Sequence, residues 1–463
     1  MDAGRITCDT SPVTIVRGAE TMAMASPQAA LGDSDRIEYS YGRLLWACLV
    51  LAAFNVPFES ATSIPLVGSV PRLLGGLTIA VFVAALAIRR RCFTVSLFSR
   101  VLFLHVTFAA LSLAWVVADA DSQRRLALLI QLSLLATLVV QVARTHRERA
   151  VLASAYGLGT VVAAMLVIAN RVRHVTYLDQ ELGLGQAVSR FNVGHVARYT
   201  VGIEDPNYIG MVLVVGIPTL IWGLSRLYGR SGLIAAVVLS APVAFSALLT
   251  GSRGSTVVAP MFPIVYIIVS SARRHLGRMV PALGFAGLIA SVVWRQLPAD
   301  TQFRVRSGFD SSQSTSRLRE VVWRAGYHAF LRRPIQGYGL GSYQFVVRKE
   351  IGRNLVAHNT FINLLVEFGV IGASLFVAVV IGIWRKSRLL PHPERLYVRS
   401  LLLLFAGCAS FISADLKKVT FFVLALLVAH VTNRGGANDQ PRTRHEAAMS
   451  PRGRLREPRL GRA

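Results

Sequence analysis

Four residues near the C-terminal third carry the clearest chemistry. In His358-Asn359-Thr360-Phe361-Ile362-Asn363-Leu364-Leu365-Val366-Glu367-Phe368-Gly369-Val370-Ile371-Gly372, a titratable imidazole precedes Asn359, Asn363 and Glu367, which recur every fourth residue. On a helix that spacing puts all three polar groups on one face. An imidazole titrating near neutrality can orient or deprotonate a hydroxyl. An acid two turns into an apolar run is costly unless it faces a polar cavity or a partner. Two accounts of His358 and Asn359 are open: they cap a helix at an interface, or they head a functional cavity. The polar stripe beneath them favours the cavity.

Upstream lie cations and turn signals. Asp205-Pro206-Asn207 opens an apolar run with an acid at the N-cap and proline at the first helical position, a good helix start whatever else it does. Thr250-Gly251-Ser252-Arg253-Gly254-Ser255 predicts a tight turn between two apolar runs, with glycines that allow close approach of a ligand. Arg253 there either snorkels to lipid headgroups or binds an anion. Ser314 to Ala325 is expected to be a capped amphipathic helix with Leu318, Val321, Val322 and Ala325 on its apolar face, and Arg317 and Arg324 two turns apart. Gly337-Tyr338-Gly339-Leu340-Gly341 is turn-rich; without a preceding strand or βαβ unit it is no dinucleotide fingerprint. Asp119-Ala120-Asp121 is expected to be a solvated turn rather than a metal site, and no metal ligand set or cofactor motif appears.

The elements that hold these residues follow from composition. The 463 residues are 53% hydrophobic and only 16% charged, with mean hydropathy +0.50. That charge is too sparse to cover a soluble surface. Apolar blocks close to membrane-spanning length predict an all-α polytopic membrane protein, with spans at 43–58, 70–88, 98–118, 125–143, 150–169, 208–225, 231–249, 256–272, 279–294, 359–384, 397–414 and 418–433. Alternate connections carry the basic charge (89–91, 144–149, 226–230, 273–278, 385–388 and the tail), so the positive-inside rule predicts about twelve transmembrane helices with both termini cytoplasmic. The net charge of +26 therefore belongs to membrane sidedness and not to nucleic acid. Residues 1–42 are expected to be a cytoplasmic segment that does not read as a signal peptide, 43–433 the membrane domain, and 434–463 a disordered basic cytoplasmic tail. A large external loop, 295–358, lies between the ninth and tenth spans and holds eleven Arg plus Lys against four acids. Attraction to anionic headgroups and a pocket for a phosphate or pyrophosphate both account for it.

In order along 205–376, the motifs Asp205-Pro206-Asn207, Thr250-Gly251-Ser252-Arg253-Gly254, Arg317 with Trp323, Gly337-x-Gly-x-Gly341 and His358 through Gly372 resemble the O-antigen ligase and Wzy-type polymerase superfamily. The resemblance implies a metal-independent, cofactor-free glycosyltransferase of the bacterial inner membrane, with its active site facing the periplasm or cell exterior. It implies transfer of a glycan from an undecaprenyl-pyrophosphate carrier to a glycan or lipid acceptor hydroxyl. Other polysaccharide-assembly proteins and membrane lipids are the implied partners, and nucleic acid is not. His358 would act on the acceptor hydroxyl, and Arg253 and Arg317 would stabilise the leaving pyrophosphate, where negative charge builds. Arg319 and Arg324 are added cations; Asp205, Asn207, Asn359 and Glu367 complete the expected substrate contacts. The alternative from another class is a transporter of an anionic solute or lipid-linked glycan; absence of an internal repeat and the one-sided polar residues weigh against it.

Overall fold

The computed structural model describes residues 33–64, 68–89, 96–117, 119–176, 198–202, 204–258 and 314–432, with isolated positions 295 and 302. The expected span 279–294, nearly all of span 256–272, residues 177–197, residues 1–32 and the tail lie outside the described residues.

The chain runs through α1 (Asp33–Asn55), a 3-10 turn (Val56–Thr62), a two-residue antiparallel pair β1 (Ser63–Ile64) and β2 (Gly68–Ser69), then α2 (Val70–Arg89), α3 (Leu97–Leu111), α4 (Asp119–Val142) and α5 (His146–Val172). Next in the chain come α6 (Pro206–Leu249) and α7 (Arg253–Val258). The second part holds α8 (Ser314–Arg332), α9 (Tyr343–Ile351), α10 (Thr360–Ser387), α11 (His392–Ala409) and α12 (Lys418–Thr432). Among the described residues six helical segments are long and apolar enough to cross a membrane: Gly42–Thr62, Leu97–Ala114, Asp121–Val142, His146–Val172, Pro206–Leu249 and Thr360–Ser387. Arg72–Ala84 and Lys418–Thr432 are shorter apolar helices.

Helix α6 is two helices, as the basic run 226–230 suggested. A straight helix of its 44 residues would be about 66 Å long. Yet Arg198 donates from Nε to the Thr250 carbonyl (3.1 Å) and from Nη2 to Asn207 Oδ1 (2.9 Å), so both ends of α6 meet at one residue. The reversal is at Gly229, whose φ of 62° and ψ of −132° interrupt the helix. The first arm packs on α5 at very short range. A Cβ on Gly157 would lie 2.6 Å from the Leu220 Cα, and one on Gly216 would lie 2.3 Å from Thr160 Cγ2. Small residues at such crossings let backbones approach where lipid supplies no hydrophobic drive.

Helix α10 is broken at Gly369 (φ 60°, ψ −161°), and the turn-rich segment 333–341 fills the break. Tyr338 N donates to Val366 O (3.0 Å) and Gly339 N to Glu367 O (2.8 Å). In return Val370 N donates to Pro334 O (2.8 Å) and Ile371 N to Ile335 O (3.3 Å). Freed backbone groups within an apolar helix need such partners, because lipid offers none. The G-x-G-x-G sequence is thus a docking loop that completes a helix.

The first span runs Gly42–Thr62, close to the expected start, on a helix that begins at Asp33 because its polar first turns carry no apolar signal. Two expectations change. Asp119-Ala120-Asp121 is the first turn of α4, not a loop, where acids complement the helix dipole. On α8 the buried face is Val322, Ala325 and Ala329, whereas Leu318 and Val321 are exposed, because the stripe that packs runs through 322, 325 and 329.

Candidate functional site

The connections gather at two ends of the bundle. One end brings together every motif segment that the structure describes. The 410–417 connection is its keystone: Thr360 Oγ1 donates to Ile412 O (2.7 Å) and accepts from Ala414 N (2.9 Å), which ties the first turn of α10 to that connection. The start of α7 presses on the same segment, as a Cβ on Gly254 would lie 2.5 Å from Phe411 Cβ. The first arm of α6 contacts α7, since a Cβ on Gly210 would lie 2.5 Å from Ser255 Oγ. Lys417 closes the ring with an ion pair to Glu204 (3.1 Å), its ammonium 4.4 Å from the Tyr208 ring centroid. Lys418 pairs with Glu59 in the 3-10 turn.

His358 sits immediately before α10 in a left-handed conformation, φ 45°, which non-glycine residues seldom adopt. Two contacts impose it. Trp323 Nε1 on α8 donates to Ala357 O (2.7 Å), and Asn359 caps α10 by accepting from Phe361 N (3.0 Å) and Ile362 N (3.1 Å). Such strain, worth about 1–3 kcal/mol, persists where surroundings over-determine it, and it clusters at functional sites. Burial lowers the imidazole's pKa from 6.5, opposed by the Asp205 carboxylate and reinforced by Arg319 and Arg198. A lowered pKa keeps the ring neutral, so its basic form is retained until the medium is more acidic than the usual histidine range. The acidic limb of the activity profile should therefore have its midpoint below pH 6.5. A rate–pH titration of reconstituted protein checks this, and a midpoint above 6.5 would contradict it.

The other expected residues divide. Asp205 is the N-cap of α6, accepting from Asn207 N (2.6 Å), and lies within electrostatic reach of His358. Asn207 holds Arg198, and Arg319 lies within electrostatic reach of the imidazole. Asn359 is the cap just described. Asn363 and Glu367 do face a polar cavity, of about 180 Å³, shared with Arg125, Tyr343, Asp415 and Lys417. Asn363 Nδ2 donates to Asp415 Oδ2 (3.1 Å), and Glu367 Oε1 accepts from Tyr343 N (3.4 Å). Burial raises the pKa of Asp415 against the pull of Arg125, Asn363 and Lys417. Arg324 is exposed and paired with Glu320 (2.9 Å) along the outer face of α8. Arg253 opens α7 and Arg317 lies in the first turn of α8; their side chains are outside the described residues.

Four site residues escaped the sequence reading: Arg198, Arg125, Asp415 and Lys417. For Lys417 a signal existed, because Lys417-Lys418 puts two cations in a short connection where the charge rule expects few. Arg198 was hidden in a long loop and Arg125 at the start of a span. Among the described residues no three His, Cys, Asp or Glu side chains gather as a metal site.

No curated protein matches the sequence. Residues 235–377, which include the α7 turn, α8, the docking loop and the first part of the His358 helix, match the O-antigen ligase family model.

Proposed function

We propose that this protein transfers a glycan from an undecaprenyl-pyrophosphate carrier to an acceptor hydroxyl at the His358 end of the bundle, on the outer side of the inner membrane, without a metal ion. The observation that carries the proposal is the strained, half-buried His358, within the electrostatic influence of Asp205, Arg198 and Arg319, where four motif segments meet. His358 removes the acceptor's proton as its oxygen attacks the anomeric carbon. The bond from that carbon to the pyrophosphate breaks, and negative charge builds on the leaving oxygens. Fixed arginines are suited to that charge, since they remain protonated and present bidentate donors. In this scheme Arg253 and Arg317 contact the pyrophosphate, and Arg319 and Arg198 set the field around the base. The approximately 180 Å³ cavity, with Asn363, Glu367 and Asp415, offers donors and acceptors to sugar hydroxyls.

Arg253→Lys is the discriminating variant for the leaving-group role. It keeps the charge but loses the fork, so transfer should drop at least about tenfold. Initial rates in proteoliposomes measure it; an undiminished rate would mean that Arg253 only anchors to headgroups. Product analysis separates polymerase from ligase, as a ladder marks the first and a single band on an added acceptor marks the second.

The break in α10 resembles the discontinuous helices of transporters. Here, however, its freed backbone groups are taken up by the 333–341 loop. Solute counterflow in liposomes tests the transport alternative, and the transferase account predicts none.

A further inference from the structure

At the opposite end of the bundle lies a second pocket, of about 390 Å³, that the transfer chemistry does not use. Its walls include Trp222 and Arg226 of α6, and Tyr397 and Ser400 of α11, with Pro218 and Pro393 as apolar flanks. Pro218 is twelve residues along α6 from Pro206, so the pocket begins about 18 Å below the transferase end.

The pocket is built rather than incidental. Trp222 stacks on Tyr397 with centroids 4.6 Å apart and planes 12° apart, and His146 stacks on Trp222 at 5.5 Å. The His430 ring meets Trp222 edge-on at 4.6 Å. Trp222 Nε1, Tyr397 Oη and Ser400 Oγ are buried and have no hydrogen-bond partner among the described residues. Their residues are only 6%, 7% and 1% exposed. An indole N–H can only donate, hydroxyls can donate, and the guanidinium of Arg226 at the exposed rim only donates. No carboxylate lines the pocket. Glu394, beside Pro393, is engaged by His146 Nε2 at 3.0 Å. A donor-rich, cation-rimmed pocket without a carboxylate and with apolar flanks suits an acceptor-rich anion joined to a greasy body. It opens beside the basic run 226–230, which the charge rule puts at the cytoplasmic leaflet.

We propose that this pocket binds the phosphodiester headgroup of an anionic phospholipid, with Arg226 pairing the phosphate and Tyr397, Ser400 and Trp222 donating to its oxygens. The probe is phosphatidylglycerol, and the test is native mass spectrometry of the full chain released from nanodiscs of equal phosphatidylglycerol and phosphatidylcholine. The wild type should retain one phosphatidylglycerol in preference to phosphatidylcholine. Arg226→Gln and Tyr397→Phe should each weaken retention about tenfold, while His358→Ala should not change it. Tyr397→Phe keeps the aromatic stack, so loss of retention would report the missing hydroxyl. Unchanged retention in both variants, or equal retention of the two lipids, would overturn the proposal. Displacement of the lipid by inorganic phosphate alone would assign the donors to a soluble anion and overturn it as well. In the wild type, phosphatidylglycerol carrying a photoreactive group near the headgroup should label 218–226 or 393–400. Labelling confined to 198–210 or 357–367 would refute the assignment without any variant.

Discussion

His358→Ala should lower the rate of glycan transfer by about two to four orders of magnitude, the usual contribution of a positioned general base. The effect belongs to chemistry and not to folding. Among the described residues the imidazole makes no hydrogen bond that holds the fold; the ties that do so are the Trp323 bond to Ala357 O and the Asn359 cap, and both survive the substitution. Alanine at φ 45° retains some of the strain, so a small loss of stability is expected with it. The measurement is the initial transfer rate in proteoliposomes, normalised to monodisperse protein. His358→Gln is the companion variant: it restores hydrogen bonding without a proton acceptor of suitable basicity, and should be nearly as slow. A rate within threefold of wild type for the alanine variant would remove His358 from the mechanism.

Gly369→Ala should be the most damaging single substitution for the fold. Its φ of 60° and ψ of −161° belong to a region open essentially to glycine alone. A Cβ there would also stand 2.2 Å from Ile335 O. The chain cannot yield at that point without expelling the 333–341 loop, and with it the four backbone bonds that link 334–339 to 366–371. A destabilisation of at least about 3 kcal/mol is expected, from strain plus buried groups left unpaired. It would be seen as a fall in melting temperature and in the fraction recovered monodisperse. Gly382→Ala in the same helix is the control, since a Cβ there meets nothing within 4 Å and the helix should accept it. Equal melting temperatures for the two variants would contradict the docked-loop account.

Much of the scaffold was legible because lipid imposes simple rules. Apolar runs located α2, α3, α4, α5, both arms of α6 and α10 to α12, and the basic run 226–230 marked the reversal at Gly229. Helix starts were harder: Asp33 and Asp119 begin helices in polar sequence, where hydropathy is silent. Within the site, Asn363 and Glu367 were found because period-four polarity in an apolar helix has few benign explanations. Tertiary pairing was not legible. Nothing in Gly337-Tyr338-Gly339-Leu340-Gly341 says that it docks into a helix thirty residues away, since turn chemistry specifies backbone shape but not a partner. Arg198 was hidden for a related reason: its importance comes from joining Asn207 to Thr250, a contact that exists only after α6 folds back. On α8 the heptad-like spacing could not separate Arg319, whose charge reaches His358, from Arg324, paired outward with Glu320.

The most direct test of the account is the stoichiometry of transfer by the wild-type chain alone. Proteoliposomes would be supplied with an undecaprenyl-pyrophosphate oligosaccharide in the presence of a chelator, and elongated glycan and freed undecaprenyl pyrophosphate quantified together. The transferase account predicts one lipid pyrophosphate released for each glycosidic bond formed, with both products absent from His358→Ala. Folded wild-type protein that forms no bond with any acceptor, yet supports counterflow of the intact lipid-linked glycan, would contradict it and make the protein a transporter.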